Sequence, residues 1–548
     1  MYKRIKIYSV FAFLFISLNG ISQSNGFEVI RSLELMDQIY EHLEKYYVDD
    51  IKAGSLSKTA IDAMLKELDP YTVYYHESNI EDYKLMTTGQ YGGIGALIGK
   101  NGDFIVVSEP YEGKPADVSG LKAGDVILSI DGKSMKGKNS SDASTALKGP
   151  KGTELILEIE RNKTEKKTII IVRDEIKLAD VPYSDVLENN TGYIKLNSFT
   201  RTASSEVTKS FLKLKEQGID NLILDLRGNG GGLLIEAIKI VNLFVEQGQT
   251  IVTTKGRLSD ENRTYKTLAP PVDTEIPLII LVDGGSASAS EIVSGSLQDL
   301  DRAVIVGSRS YGKGLVQRTY DLDYGSKMKL TIAKYYTPSG RCVQRLEYYD
   351  KIDGEIPEEV PDSLITMFKT KNGRDVIDGR GVEPDSAVSL ENYSRLTINL
   401  VRNNIIFNYA TNYYYNHPTI SEAGKFSLSE SDYNAFSSFA MKEEFSYSTA
   451  SEEMLKKLKA TAKKEGFFND AESAYNELMS KVTPSKERDL IKFKSEIVSI
   501  IENEIVSRYY FQNGRAIHSF KDDPFMDKAM EIFLNKALYN TILGNSSF

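Results

Sequence analysis

Beyond residue 26, the chain first shows the hydrophobic spacing of an amphipathic helix. Apolar side chains recur at steps of three and four residues, at Leu33, Met36, Tyr40, Leu43 and Tyr47. Residues with this spacing share one face of a helix. A second, shorter helix is predicted from Thr59 to Leu68, because Asp69-Pro70 ends it. The pattern predicts a helical N-terminal segment over residues 27–80.

From about Tyr83 the pattern changes to short apolar runs separated by glycine-containing turns. The predicted strands are Phe104–Val107, Val126–Ile130, Leu155–Ile159 and Thr168–Val172. The last two flank a charged turn and therefore predict a hairpin. This pattern is typical of a compact β-rich domain, here over residues 81–175.

Residues 176–390 alternate between strands and helices, which favours an α/β core. The predicted strands are Gly192–Leu196, Leu222–Leu226, Leu278–Val282 and Val304–Val306, and the predicted helices are Ser204–Gln217, Leu234–Val245 and Ser290–Asp299. Beyond residue 390 the chain is charged and helical. One apolar stripe follows Pro484, formed by Leu490, Phe493, Ile497, Ile501 and Ile505. We therefore expect a multidomain α/β protein with a helical extension over residues 391–548.

The extreme N-terminus is typical of a secretory signal peptide. Basic residues precede an apolar run from Ile7 to Leu18, and small residues follow at Gly20 and Ser22. We expect residues 1–22 to be removed and the protein to be exported to the periplasm. An uncleaved N-terminal anchor, which would keep the protein at the membrane, is the alternative.

Charge and composition narrow the functional classes. The chain has 67 basic and 77 acidic residues and a net charge of −10, which argues against nucleic acid as a partner. The four histidines are scattered, and neither HExxH nor CxxC occurs. We therefore expect no metal and no other cofactor.

A cluster of serines follows the predicted strand Leu278–Val282 through a Gly-Gly turn. Ser286, Ser288 and Ser290 lie at the start of a predicted helix, whose N-terminal amides favour developing negative charge. A serine there becomes a nucleophile if a base takes its proton. Spacing alone does not distinguish the three serines, and Ser288 with Glu291 also has the pattern of a capping box.

Lys313 lies in the next strand-to-loop segment and is the candidate base. An amine serves as a base at neutral pH only if burial lowers its pKa by about three units. Gln317, four residues on, can orient that amine from the same face of a strand. The segment Gly307–Lys313 also matches most of a phosphate-binding loop, but Gly314 lacks the hydroxyl that would bind magnesium. Nucleotide binding is therefore disfavoured.

Two glycine-rich turns complete the candidate chemistry. The run Leu222–Arg227 leads into a turn over residues 228–232, whose amides can bind an oxyanion. In the β-rich domain, Gly93-Ile94-Gly95 precedes a strand, and its amides can hold a chain-terminal carboxylate while the strand edge pairs with a peptide. An ordinary glycine turn is the alternative at each position.

Together these segments resemble the C-terminal processing peptidases, or tail-specific serine proteases. The similar stretches are LDPYTVYY at Leu68, QYGGIGALI at Gln90, GLKAGDVILSIDG at Gly120, LILDLRGNGGG at Leu222, GGSASASEIVSGSLQD at Gly284, GSRSYGKGLVQ at Gly307, YYTPSGR at Tyr335 and GRGVEPD at Gly379. They occur in the family's order and spacing over residues 35–390.

The resemblance implies a PDZ domain over residues 81–175 and an α/β serine protease core of the ClpP/crotonase-like type over residues 176–390. The family's site residues fall on Ser288 as nucleophile, Lys313 as general base, Gln317 as the residue that orients the lysine, Ala289 with Gly231 or Gly232 as oxyanion amides, and Gly93, Ile94 and Gly95 as the carboxylate loop.

The implied protein is an exported serine endopeptidase that binds the C-terminal tails of protein substrates through its PDZ domain and cleaves them with a Ser–Lys dyad. A non-catalytic PDZ scaffold on a protease-like fold is the alternative. The expected partners of the protein are proteins or peptides with a free C-terminus. The resemblance does not explain residues 391–548, and the helical regions could form a homodimer or recruit an adaptor protein.

Overall fold

The computed structural model describes residues 24–77, 80–348, 357–389 and 393–545. The predicted signal peptide lies outside these residues. Within them, no helix combines the length and the apolar character needed to cross a membrane. The N-terminal segment consists of α1 (Ser24–Tyr46), α2 (Ala53–Lys66) and β1 (Val73–Tyr75). Several apolar residues of α1 are exposed, among them Phe27 and Leu33.

A β-rich domain follows, as predicted. Its elements are α3 (Ile80–Thr88), β2 (Gln90–Gly93), β3 (Ala96–Asn101), β4 (Phe104–Pro110), α4 (Pro115–Val118), β5 (Val126–Ile130), β6 (Lys133–Ser134), α5 (Ser140–Leu147), β7 (Glu154–Arg161), β8 (Glu165–Val172) and β9 (Asp174–Lys177). The main sheet has the order β3-β4-β5-β7-β8, which leaves β3 at an edge beside α5. The predicted hairpin is confirmed by the antiparallel pairing of β7 with β8.

The α/β core contains two sheets. Its elements are β10 (Tyr183–Leu187), β11 (Thr191–Lys195), α6 (Ala203–Glu216), β12 (Asn221–Asp225), α7 (Leu234–Asn242), β13 (Thr250–Gly256), β14 (Arg263–Lys266), β15 (Leu278–Val282), α8 (Ala289–Asp299), β16 (Val304–Gly307), β17 (Leu315–Asp321), β18 (Lys327–Tyr336), β19 (Met367–Lys369), β20 (Asp375–Ile377) and β21 (Ser386–Ala387). One sheet has the order β10-β11-β12-β15-β16-β21, parallel except for β10. The other places β18 between β17 on one side and β1 and β13 on the other.

The C-terminal region is helical. Its helices are α9 (Arg395–Arg402), α10 (Ile405–Asn416), α11 (Glu430–Lys442), α12 (Ala450–Glu465), α13 (Phe468–Val482), α14 (Lys486–Lys492), α15 (Lys494–Ser519), α16 (Pro524–Leu534) and α17 (Lys536–Ile542). The apolar stripe predicted after Pro484 is divided between α14 and α15, with Phe493 between them.

The two faces of the parallel sheet are covered by different parts of the chain. Alternate strand residues, such as Leu222 and Leu224, pack under α6, α7 and α8, whereas Ile223 faces the opposite layer. That layer is formed by α16 and α17 through residues such as Phe525 and Ile532. A mostly parallel sheet is stable only with both faces covered. Helices α16 and α17 are therefore part of the α/β core.

The same C-terminal region also contacts the β-rich domain. The Asn404 side chain donates to the carbonyl of Lys100 at 3.1 Å, and Arg515 pairs with Glu109 at 2.7 Å. The helical region therefore bridges the β-rich domain and the α/β core.

Candidate active site

Three loops meet at the carboxyl ends of the adjacent parallel strands β12, β15 and β16. They are the glycine-rich turn (228–232), the serine loop (283–288) and the lysine loop (308–314). The Ala287 amide donates to the carbonyl of Asn229, and the Tyr311 amide donates to that of Ser286, each at 3.0 Å. Because parallel strands end at one edge of a sheet, segments far apart in the sequence form a single site.

The structure separates the three serines that spacing left equivalent. The hydroxyls of Ser286 and Ser290 are buried and donate to the carbonyls of Leu226 and Asn229, at 2.9 and 2.8 Å. Ser288 instead lines a cavity of about 750 Å³. Its backbone has φ +56° and ψ −109°, a strained conformation for a residue with a side chain. Strain of this kind at a strand-to-helix turn is typical of an exposed nucleophile.

Glu291 joins the serine loop to the lysine loop. One carboxylate oxygen accepts the amides of Ser288 and Lys313, each at 2.8 Å. The other accepts the Ser310 hydroxyl at 2.6 Å and the Gly312 amide at 2.7 Å. Burial raises the pKa of Glu291, and these four donors oppose that rise. Since both oxygens accept hydrogen bonds from amides, we assign the ionised form.

Lys313 lines the same cavity as Ser288. Burial, with a smaller contribution from the nearby Lys329, lowers its pKa to about 8, although Glu291 and Asp69 oppose the change. No hydrogen bond joins the Lys313 amine to the Ser288 hydroxyl or to any other described residue. Catalytic hydrogen bonds are often long before substrate binds.

Gln317 lies on the wall of the same cavity, but its amide nitrogen donates to the Thr331 hydroxyl at 3.2 Å. It makes no hydrogen bond with Lys313 in the described part of the chain. The predicted contact between Gln317 and the lysine amine is therefore not formed in this structure.

The two glycines that are candidates for the oxyanion hole differ in whether their amides already donate a hydrogen bond. The Gly231 amide donates to the side chain of Asn229 at 2.9 Å. The amides of Gly232 and Ala289 make no hydrogen bond with any described residue, and both residues line the cavity. Gly231 has φ +98°, and a Cβ there would lie 2.7 Å from the Ala287 carbonyl oxygen. Glycine at position 231 therefore allows the turn to approach the serine loop closely.

In the β-rich domain, the predicted carboxylate loop connects β2, whose last residue is Gly93, to the edge strand β3. The carbonyls of Ile94 and Gly95 accept the amides of Ala116 and Tyr111, at 2.8 and 2.9 Å. The amides of Ile94 and Gly95 donate to no other described residue. The loop is thus held by the carbonyls of Ile94 and Gly95, while the amides of these two residues stay available to an acceptor.

Sequence reasoning missed two features of the site. It treated Glu291 only as a helix cap, although an acidic residue in a run of small residues was a visible signal. It gave no role to Tyr71, whose ring centroid lies 4.2 Å from the Lys313 amine. No group of three metal-binding side chains occurs among the described residues.

Models of known protein families match the β-rich domain, the α/β core and the C-terminal helical region. The model of Peptidase family S41 matches residues 190–352. A PDZ domain model matches residues 84–160. A model described as the C-terminal helical domain of a probable PDZ-protease matches residues 396–533. The last match covers most of the extension that the sequence resemblance left unexplained.

Individual relatives extend this similarity. A carboxy-terminal-processing protease of Bartonella bacilliformis is 36% identical over 367 residues, which cover 66% of this chain and 84% of the relative. A probable CtpA-like serine protease of Staphylococcus aureus strain COL is 36% identical over 345 residues, or 62% of this chain and 67% of the relative. Among solved structures, the photosystem II D1 C-terminal processing protease is 27% identical, with a TM-score of 0.36 over 64% of this chain and 86% of that one.

Proposed function

The chain belongs to peptidase family S41, among the carboxy-terminal-processing serine proteases with a PDZ domain, and we propose that Ser288 and Lys313 are its catalytic dyad. One observation carries this assignment. Of the three clustered serines, only Ser288 faces the cavity that Lys313 also lines, whereas the other two hydroxyls are bonded to backbone carbonyls.

The proposed reaction is acyl transfer through an ester. The Ser288 hydroxyl oxygen attacks the scissile carbonyl carbon while the neutral Lys313 amine takes its proton. The tetrahedral intermediate collapses, the carbon–nitrogen bond breaks, and the lysinium protonates the leaving amine. Water then attacks the ester, with the same amine as base, and releases the acid and the free serine.

The oxyanion is assigned to the amides of Ala289 and Gly232. Both line the cavity, and both lack an acceptor within the described residues. Gly231 is the weaker candidate because its amide already donates to Asn229. Preorganised amides of this kind stabilise the charge that develops in the transition state.

We assign substrate capture to the edge strand β3 and the loop Gly93-Ile94-Gly95. The loop amides would bind the terminal carboxylate of the substrate, and its last residues would extend the sheet at β3, beside α5. Amidation of the C-terminus of a peptide substrate should raise KM and leave kcat nearly unchanged. Equal kinetics for the amidated and the free peptide would remove tail capture and leave the dyad untouched.

The dyad is tested with purified mature protein and an unstructured protein substrate. Ser288→Ala and Lys313→Ala should each abolish cleavage and leave the folded structure intact. Ser290→Ala is the matched control: it removes a buried hydroxyl that donates to Asn229, and should cost about 1 kcal/mol of stability while activity persists. Cleavage by Ser288→Ala at the wild-type rate would overturn the assignment.

Export to the periplasm rests on the basic and apolar N-terminus. The expected mature N-terminus follows residue 22, and N-terminal sequencing of protein released from the periplasm tests this. Protein that stays with the membrane with residues 1–22 attached would favour the anchor.

A further inference from the structure

The Lys313 amine lies over the face of an aromatic ring. The ring belongs to Tyr71, whose centroid is 4.2 Å from the nitrogen. Within the described residues this amine donates no hydrogen bond, and the ring face is in direct contact with it. A cation at this distance is attracted by the negative face of the ring, and more strongly where water is excluded.

Tyr71 reaches this position from the N-terminal segment, and three contacts hold it there. The buried carboxylate of Asp69 accepts the amides of Tyr71 and Thr72, each at 2.8 Å. The Thr72 hydroxyl oxygen accepts the Thr331 amide at 3.2 Å. Directly after Thr72 in the chain, β1 pairs with β18. The segment before the PDZ domain is therefore anchored to the sheet beside the base.

The phenol oxygen of Tyr71 makes separate contacts at the far end of the ring. It lies 3.2 Å from the Tyr348 hydroxyl and 3.5 Å from that of Tyr311, which belongs to the lysine loop. These contacts hold the phenol oxygen in place without engaging the amine. The hydroxyl and the ring face can therefore be removed separately.

We propose that Tyr71 is a positioning residue for the general base, whose ring face holds the Lys313 amine and stabilises the lysinium formed when Ser288 loses its proton. The inference rests on the proposed dyad. A neutral amine becomes a cation during attack in a cavity that disfavours charge, and the ring offsets part of that cost. The N-terminal segment thereby contributes to the chemistry of a site formed mostly by residues 225–340.

The test compares the ring face with the hydroxyl. Tyr71→Leu keeps an apolar contact but removes the ring, so the lysinium loses its stabilisation. We expect kcat/KM to fall about tenfold and the acid limb of its pH profile to move down by about one pH unit. Tyr71→Phe keeps the ring and should retain the wild-type limb. Tyr348→Phe is the matched control, since it alters the hydroxyl contacts without touching the ring.

A second substitution covers the case in which Tyr71→Leu does not fold. Pentafluorophenylalanine at position 71 has nearly the shape of phenylalanine but an inverted ring quadrupole. It should behave like the leucine variant. The proposal is overturned if the acid limb stays in place in both variants, or if Tyr71→Phe is impaired as strongly as Tyr71→Leu. Either result leaves the dyad itself intact, because Ser288→Ala tests that separately.

Discussion

Two buried glutamates differ in how many hydrogen bonds their carboxylates accept. One lies between the serine and lysine loops, and the other lies between the PDZ domain and the C-terminal helices. Glu291 accepts two hydrogen bonds on each oxygen. Glu109 accepts one hydrogen bond, from Arg515, and its other oxygen is buried without a partner among the described residues. The interdomain contact also contains Phe511, with φ +53° inside α15.

The difference indicates which parts of the molecule have a single arrangement. A carboxylate with four donors fixes the serine and lysine loops together, because moving either loop would leave a buried charge unpaired. An interdomain contact with an unpaired oxygen and a strained residue loses little when it shifts. The relative position of the serine and lysine loops is therefore fixed, whereas the orientation of the PDZ domain is less strongly determined.

The largest expected effect is that of Glu291→Gln. The amide nitrogen of glutamine must face two of the four donors, and each donor that is left unpaired costs about 1–3 kcal/mol. We expect kcat/KM to fall about 1000-fold and the free energy of unfolding to fall by about 3 kcal/mol. Peptide cleavage and chemical denaturation measure the two effects.

Glu236→Gln is the matched control for that variant. Glu236 is also buried and accepts from Ser204 and Lys239, but it does not line the cavity. It should lower stability while kcat/KM stays within about twofold of wild type. If Glu291→Gln keeps wild-type activity, the two loops do not depend on this carboxylate.

The pH profile gives the next largest effect. Lys313 has a pKa of about 8, and only its neutral form accepts the serine proton. Activity should therefore rise about tenfold per pH unit below 8 and level off above it, so that kcat/KM at pH 6 is about 100-fold below the plateau. Lys329→Met removes a neighbouring positive charge, raises the pKa of Lys313 and should move the acid limb upward. A flat profile between pH 6 and 9 would contradict the lysine base.

The same contrast shows which features of the molecule can be predicted from the sequence. Leu278–Val282 was predicted with its observed bounds, because five consecutive apolar residues indicate a fully buried strand. An acidic residue among small residues marks Glu291 locally, but its partners lie in a loop that begins only after another strand, so the sequence does not reveal which groups it contacts. The choice between Gly231 and Gly232 depends on where the side chain of Asn229 lies. The amphipathic pattern of α16 predicts a helix but not the sheet that it covers.

Substitution of Asp523 tests whether the last helices support the glycine-rich turn. Asp523 pairs with Arg227 at 2.7 Å, directly before the glycine-rich turn, and its side chain also caps α16. Asp523→Asn keeps a good cap but loses the charge that holds Arg227. Because Arg227 keeps its pair with Asp225, we expect only an approximately tenfold fall in kcat/KM.

Asp523→Ala separates the cap from the ion pair. It should lose the same activity and about 1 kcal/mol of additional stability. Full activity in both variants, measured on the same peptide, would show that α16 supports the fold without influencing the turn.

The smallest effect is expected from Glu109→Gln, the counterpart of the Glu291 substitution in the interdomain contact. Burial raises the pKa of Glu109, so the folded protein binds a proton there more readily than the unfolded chain. The contribution of this group to stability therefore falls as the pH rises from the unfolded pKa through the higher folded pKa. A neutral glutamine avoids the cost of burying a charge, and its side-chain oxygen still accepts the hydrogen bond from Arg515. Because Arg515 is 38% exposed, its ion pair contributes little to stability. We therefore expect the free energy of unfolding at neutral pH to stay equal or rise by less than about 1 kcal/mol, and cleavage of a short peptide to stay within about twofold. A loss of activity approaching that of Glu291→Gln would mean that the PDZ domain orientation is as tightly coupled to the catalytic loops as they are to each other.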